Sequence, residues 1–110
     1  MTGTSAGRTR LLALAMLSLT VLSACGAGLD EMASGEEIYN ARCASCHRQD
    51  LSGGIGPPLG PGSEAVDRPL EYYEIAIISG KGRMPSFGST LTDEQISRVL
   101  DYIFAVQGGG

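Results

Sequence analysis

The chain has no tryptophan, two phenylalanines, four tyrosines and one histidine in 110 residues. At 5% aromatic content, a small domain, which hides proportionally little surface, has little bulky material for a core, so something other than side chains is expected to fill its middle. Basic residues are scarce too. Eight Lys and Arg face twelve Asp and Glu, giving a net charge of −4 and a pI near 4.8, which excludes a protein that grips nucleic acid through a basic face. Lysine occurs once, at Lys81. The length leaves no room for a two-domain enzyme, and no segment alternates apolar and polar residues as a half-buried strand does. Glycine is plentiful, with 16 residues. The expectation is a small, loop-rich, all-α domain.

The charges are unevenly placed. Arg8 and Arg10 are the only charged residues before Asp30, and an apolar run fills residues 11–22, the order of an export signal. The next step, Leu22-Ser23-Ala24-Cys25, resembles the lipobox of bacterial lipoproteins. It implies cleavage before Cys25, acylation of that thiol, and a domain anchored to a membrane outside the cytoplasm. The competing reading is an uncleaved anchor, because the uncharged stretch at 11–29 approaches the roughly 20 residues that span a bilayer. Its Ser, Ala, Cys and Gly end suits a peptidase better than lipid. The expected division is a signal at 1–24, a tether at 25–33, a folded domain at 34–107 and a flexible tail at 108–110. After residue 24 the chain keeps twelve acidic and six basic residues, a formal charge of −6.

Within that domain, Ser34 and Glu37 have capping-box spacing, and a first helix is expected from there into Cys43. Eight of the twelve residues at 52–63 are Gly or Pro, which forbids a helix or an interior strand. Too little chain precedes this stretch for a separate domain, so it reads as a wrap rather than a linker. A middle helix is expected over 67–80, with Pro69 in its first turn and Gly80 as its stop. For the last helix Thr92 and Gln95 form a second capping box, and Leu91 with Ile96 a hydrophobic staple. Ile96, Val99, Leu100, Ile103 and Phe104 follow as one buried stripe.

Apart from Cys25, every cysteine and the only histidine fall in Cys43-Ala44-Ser45-Cys46-His47. This is C-x-x-C-H, the attachment signature of c-type haem. Two thiols one helical turn apart can add to the two vinyl groups on one side of a porphyrin, and the residue after the second thiol then lies under the iron as a neutral imidazole ligand. A zinc site would need a second Cys or His pair, which the chain lacks. Thiol-redox chemistry expects a βαβ setting, and a structural disulfide leaves the adjacent His unexplained. The second axial ligand must come from elsewhere. Met84 is the candidate: it sits among Gly and Pro at 80–88 rather than on an apolar helical face, where methionine usually serves as core filler. A thioether favours ferrous iron and raises the potential.

These motifs, with Gly-Pro-Pro-Leu at 56–59, Gly-Arg-Met-Pro-Ser-Phe at 82–87 and Leu-Thr-Asp-Glu-Gln-Ile at 91–96, resemble those of the small bacterial class I cytochromes c across residues 35–106. The resemblance implies that fold, one covalently attached haem c per chain with thioether links at Cys43 and Cys46, axial His47 and Met84, and the carbonyl of Pro57 accepting the His47 ring N–H. It also implies a crossing of the first and last helices, with Gly35 or Tyr39 against Tyr102. Arg48 departs from the pattern, standing where many relatives have Gly, and the single Lys leaves no Lys-ringed docking face.

The expected function is a membrane-tethered one-electron carrier, not an enzyme, with no small-molecule substrate and no nucleic acid. Its partners would be redox proteins bearing a basic docking patch, meeting it near Ala44 and Ser45 or near residues 85–87. Two alternatives stand beside it: a haem subunit of a dehydrogenase or terminal oxidase, and a haem ligand sensor or peroxidase in which the Met84 bond is labile or absent.

Overall fold

A computed structural model describes residues 29–108; the signal segment and the acylation candidate Cys25 lie outside them. Four helices follow one another: α1 (Gly35–Arg42), α2 (Ala44–His47), α3 (Leu70–Ser79) and α4 (Asp93–Gln107), with one 3₁₀ turn at Glu64–Asp67. Among the described residues the only extended pairing is a single antiparallel bridge between Lys81 and Met84. The class is all-α, as expected.

Both capping boxes form. Ser34 Oγ accepts from the Glu37 backbone N–H, and the Glu37 carboxylate accepts from Ser34 N; Thr92 and Gln95 repeat the arrangement at α4. Each box satisfies two backbone donors that the helix cannot. The first helix stops earlier than expected: α1 ends at Arg42, Cys43 is both its C-cap and the N-cap of α2, and the C-x-x-C-H turn is a separate one-turn helix. The middle helix also starts later than expected, at Leu70. Arg68, preceding Pro69, is held extended at φ −84°, ψ 139°, because a proline ring excludes the helical region for the residue before it.

The core lies between α1, α3 and α4. Ile38, Tyr39, Val99, Leu100 and Ile103 are almost fully buried, and Leu91 and Ile96 close the staple at the α4 start. Gly35 makes the α1/α4 crossing possible: a Cβ there would stand 2.0 Å from the Arg98 carbonyl oxygen. One turn on, the Tyr39 and Tyr102 rings pack at 5.5 Å between centroids. On α3, Tyr73 stands edge-on to Phe104 at 5.0 Å, and its hydroxyl donates to the Ala65 carbonyl. Gln107 Nε2 reaches both the Tyr73 hydroxyl and the Leu59 carbonyl at 2.8 Å, tying the Gly/Pro-rich wrap to α4.

The stretch read as the end of a tether lies against the domain. Ala33 and Leu29 pack on the core. The Asp30 carbonyl accepts from Gln95 Nε2 at 3.3 Å, and the Glu31 carbonyl from the Arg98 guanidinium. Gln95, placed by its sequence only in a capping box, is thereby buried and bonded twice.

Candidate functional site

α2 is too short to satisfy its own carbonyls, and the chain after it folds back to do so. Gly53 N donates to the His47 carbonyl and Gly56 N to the Cys46 carbonyl, both at 2.9 Å. Residues 53–57 therefore lie along the histidine. A Cβ on Gly56 would stand 2.7 Å from Cε1 and 2.9 Å from Nδ1 of His47, so the ring is seated against bare backbone that only glycine provides. The loop ends with the Pro57 carbonyl oxygen 2.8 Å from His47 Nδ1. A carbonyl can only accept, so Nδ1 carries the proton and, in the neutral ring, Nε2 keeps its lone pair. His47 is buried.

Cys43 and Cys46 are free thiols, both half-buried. Three residues apart on a helical turn, they stand on one side. Burial, with the charge of Cys46 adding to it, pushes the Cys43 thiol up to about 11, so that thiol is un-ionised in the folded domain at neutral pH. An open groove of about 700 Å³ is lined by Ala44, Ser45, Arg48, Asp50 and Ile55 among others, and neither thiol lines it.

Met84 arrives by a different construction. Gly80, at φ +75°, ends α3, and residues 81–84 close a tight turn in which Lys81 and Met84 exchange backbone bonds of 3.1 and 2.9 Å. Gly82 takes φ +57° at its first central position, the conformation of a II′ turn. The chain then returns along the α3 C-terminus: Phe87 N donates to the Ile77 carbonyl at 2.8 Å, Gly88 N to the Ile78 carbonyl at 3.2 Å, and Ser86 Oγ to the Ile78 carbonyl. Orphan helix carbonyls thus anchor the loop, and Met84 is held half-buried against the core cluster that Cys43, Leu59 and Phe87 also touch.

The structure gathers Cys43, Cys46, His47 and Pro57 into one hydrogen-bonded unit and sets Met84 against the same core from the opposite end of the sequence. Among the described residues no group of three or more His, Cys, Asp or Glu is assembled as a metal-ion site. The donors fit haem c: two thiols on one turn, an imidazole with its tautomer fixed, and a neutral thioether, beside a ring seat that a Cβ would fill. Arg48 and Tyr39 were not legible as parts of this unit. The Tyr39 hydroxyl donates to the Arg48 carbonyl at 2.7 Å, and Arg48 Nε to the Gly53 carbonyl at 2.8 Å. The mismatch of an arginine at a glycine position was the one signal in the sequence.

Fold and donor set together define a helical domain built for covalently held haem. Comparison with known proteins agrees. Residues 30–103 match the family described as cytochrome c oxidase, cbb3-type, subunit III. Cytochrome c6 of Synechococcus elongatus is 35% identical over 79 residues, covering 66% of this chain and 87% of that protein. The structure of cytochrome c6 from the diatom Phaeodactylum tricornutum superposes with a TM-score of 0.58 at 35% identity, over 68% of this chain and 92% of that one. A chain from the structure of p-cresol methylhydroxylase with substrate bound matches with a TM-score of 0.56 at 27% identity, over 70% of this chain and 97% of that one. The chain belongs to the c-type cytochrome family, as a small class I member. Its cofactor is one covalently attached haem c, and it is an electron-transfer protein rather than an enzyme in its own right.

Proposed function

We propose that the chain is a one-electron carrier whose haem is linked through Cys43 and Cys46 and ligated by His47 and Met84. When bound, haem c supplies a one-electron iron couple. The carrying observation is the 2.8 Å contact between His47 Nδ1 and the Pro57 carbonyl, because it presents an unprotonated Nε2 one residue after the second thiol. The protein's share is geometric: Pro57 fixes the imidazole, Gly56 lets it seat, and the anchored loop at 80–88 holds a soft thioether. Mass spectrometry of the exported protein tests this. A peptide holding Cys43 and Cys46 should carry one haem by two thioether links; an unmodified peptide would overturn it.

The carrier is exported and held to the membrane by acylation at Cys25. Support comes from the order of residues 8–25, two arginines, an apolar run and small residues ahead of Cys25. A mature N-terminus at acylated Cys25 is expected, and one at Met1 would contradict the anchor. The formal charge of −6 after residue 24 favours redox partners with a basic patch, with rates that fall as salt rises.

A second reading keeps the same site and makes the chain a haem subunit of a larger redox enzyme. It is favoured by the oxidase-subunit description of the matched family and by the p-cresol methylhydroxylase likeness. Co-purification with a catalytic subunit at fixed stoichiometry would select it over a free carrier.

A further inference from the structure

Arg48 has φ 67° and ψ 156°, a backbone region otherwise left to glycine. Its own amide donates to the Ala44 carbonyl at 2.8 Å, and its carbonyl accepts from Leu51 N at 3.1 Å and from the buried Tyr39 hydroxyl at 2.7 Å. Its side chain turns back to donate from Nε to the Gly53 carbonyl at 2.8 Å. That guanidinium lies so close over the loop that a Cβ on Gly54 would come within 3.2 Å of Nε. Gly53 opens the loop at 53–57, and Pro57 closes it with the acceptor for His47 Nδ1–H. One end of the loop is gripped by Arg48, and the other orients the histidine.

We propose that Arg48 is a positioning residue for His47: it braces residues 53–57 so that the Pro57 carbonyl stays in line with Nδ1–H, and through that bond sets the donor strength of Nε2. This rests on the reading that His47 ligates haem iron. A strong Nδ1–H bond makes the imidazole a better donor and favours the ferric state, so loosening the brace raises the reduction potential. Loss of a nearby positive charge acts in the opposite direction, because a cation beside the iron disfavours the ferric state. The two effects have opposite signs and can be separated.

The test uses the purified holoprotein and its Arg48→Lys and Arg48→Gly variants. Arg48→Lys keeps the charge and loses the Nε bond; Arg48→Gly removes both and supplies the residue that this φ favours, so its fold is secure. Potential is read by redox titration, and exchange of the His47 Nδ1 proton by NMR. Both variants should exchange that proton at least severalfold faster than wild type; the potential of Arg48→Lys should rise, with Arg48→Gly below it. Wild-type potential and wild-type exchange in Arg48→Lys would overturn the inference, even if its denaturation midpoint moves. So would a lowered potential with unchanged exchange in Arg48→Gly, which is the charge effect alone. A wild-type chain without haem would instead overturn the ligation reading, and this inference with it.

Discussion

His47 Nδ1 and the carbonyl oxygen of Pro57 lie 2.8 Å apart, although ten residues separate them in the chain. The contact depends on Gly56, the residue before the proline, whose missing side chain lets the loop lie on the imidazole. Buried rings rarely hold one orientation without a partner. This one is fixed by a single acceptor and by packing on one face, and both come from the dipeptide Gly56-Pro57.

Gly56→Ala should therefore damage the site more than the fold. Its methyl would enter within 3 Å of the ring, and overpacking of this kind costs about 1–3 kcal/mol. Denaturant midpoints should fall accordingly, with a changed haem spectrum in the folded protein. An unaltered spectrum with an unaltered midpoint would contradict the seat.

Gly35→Ala should reverse the usual sign of a helical substitution. In an open helix the change gains roughly 0.5–1 kcal/mol. Here the Cβ would meet the Arg98 carbonyl at 2.0 Å and the Tyr102 Cβ at 2.9 Å, forcing α1 from α4. A loss of about 3 kcal/mol or more is expected in equilibrium unfolding.

What could be read from the sequence was what is local. Ser34 with Glu37, Thr92 with Gln95, the Gly80 stop and the α4 stripe each depend on residues within one or two turns, and all formed. Cys43, Cys46 and His47 stood out because C-x-x-C-H is a recognised attachment spacing. The split of the first helix at Cys43 was not, since it is driven by the loop that returns to cap α2. Nor was the docking of residues 30–33, because Gln95 and Arg98 reach Asp30 and Glu31 across more than sixty residues. The sequence marked Arg48 as unusual without showing its positive φ or its hold on Gly53.

Alkaline pH should loosen the domain through Tyr39. Burial, with the charges of Tyr102 and Asp50 adding to it, holds its phenol well above the usual tyrosine range, and burial with Glu36 raises Tyr102. A phenol that ionises in the unfolded chain near pH 10 but not in the folded one contributes stability that is complete below pH 10. That stability is lost above it, by up to about 1.4 kcal/mol per pH unit for each tyrosine. Tyr39→Phe should flatten the decline in unfolding free energy above pH 10 and cost about 1 kcal/mol at pH 7 through the lost bond to the Arg48 carbonyl.

Tyr72 should behave in the opposite way. Lys81 Nζ donates to its hydroxyl at 2.7 Å and lies 4.7 Å from its ring centre, while Arg68 lies 5.0 Å from that centre. The Lys81 hydrogen bond, then the Lys81 and Arg68 charges, lower its phenol below the usual value. In a spectrophotometric titration Tyr72 should ionise before Tyr39 and Tyr102, and Lys81→Gln should move that step to higher pH.

A closed electron-carrying site requires Met84 to ligate the iron. The oxidised holoprotein at neutral pH should show the far-red charge-transfer band of methionine–iron ligation, and Met84→Ala should abolish it and lower the reduction potential. A wild-type spectrum without the band, or a band that survives Met84→Ala, would contradict the assignment of Met84 and with it the closed six-ligand site of an electron carrier.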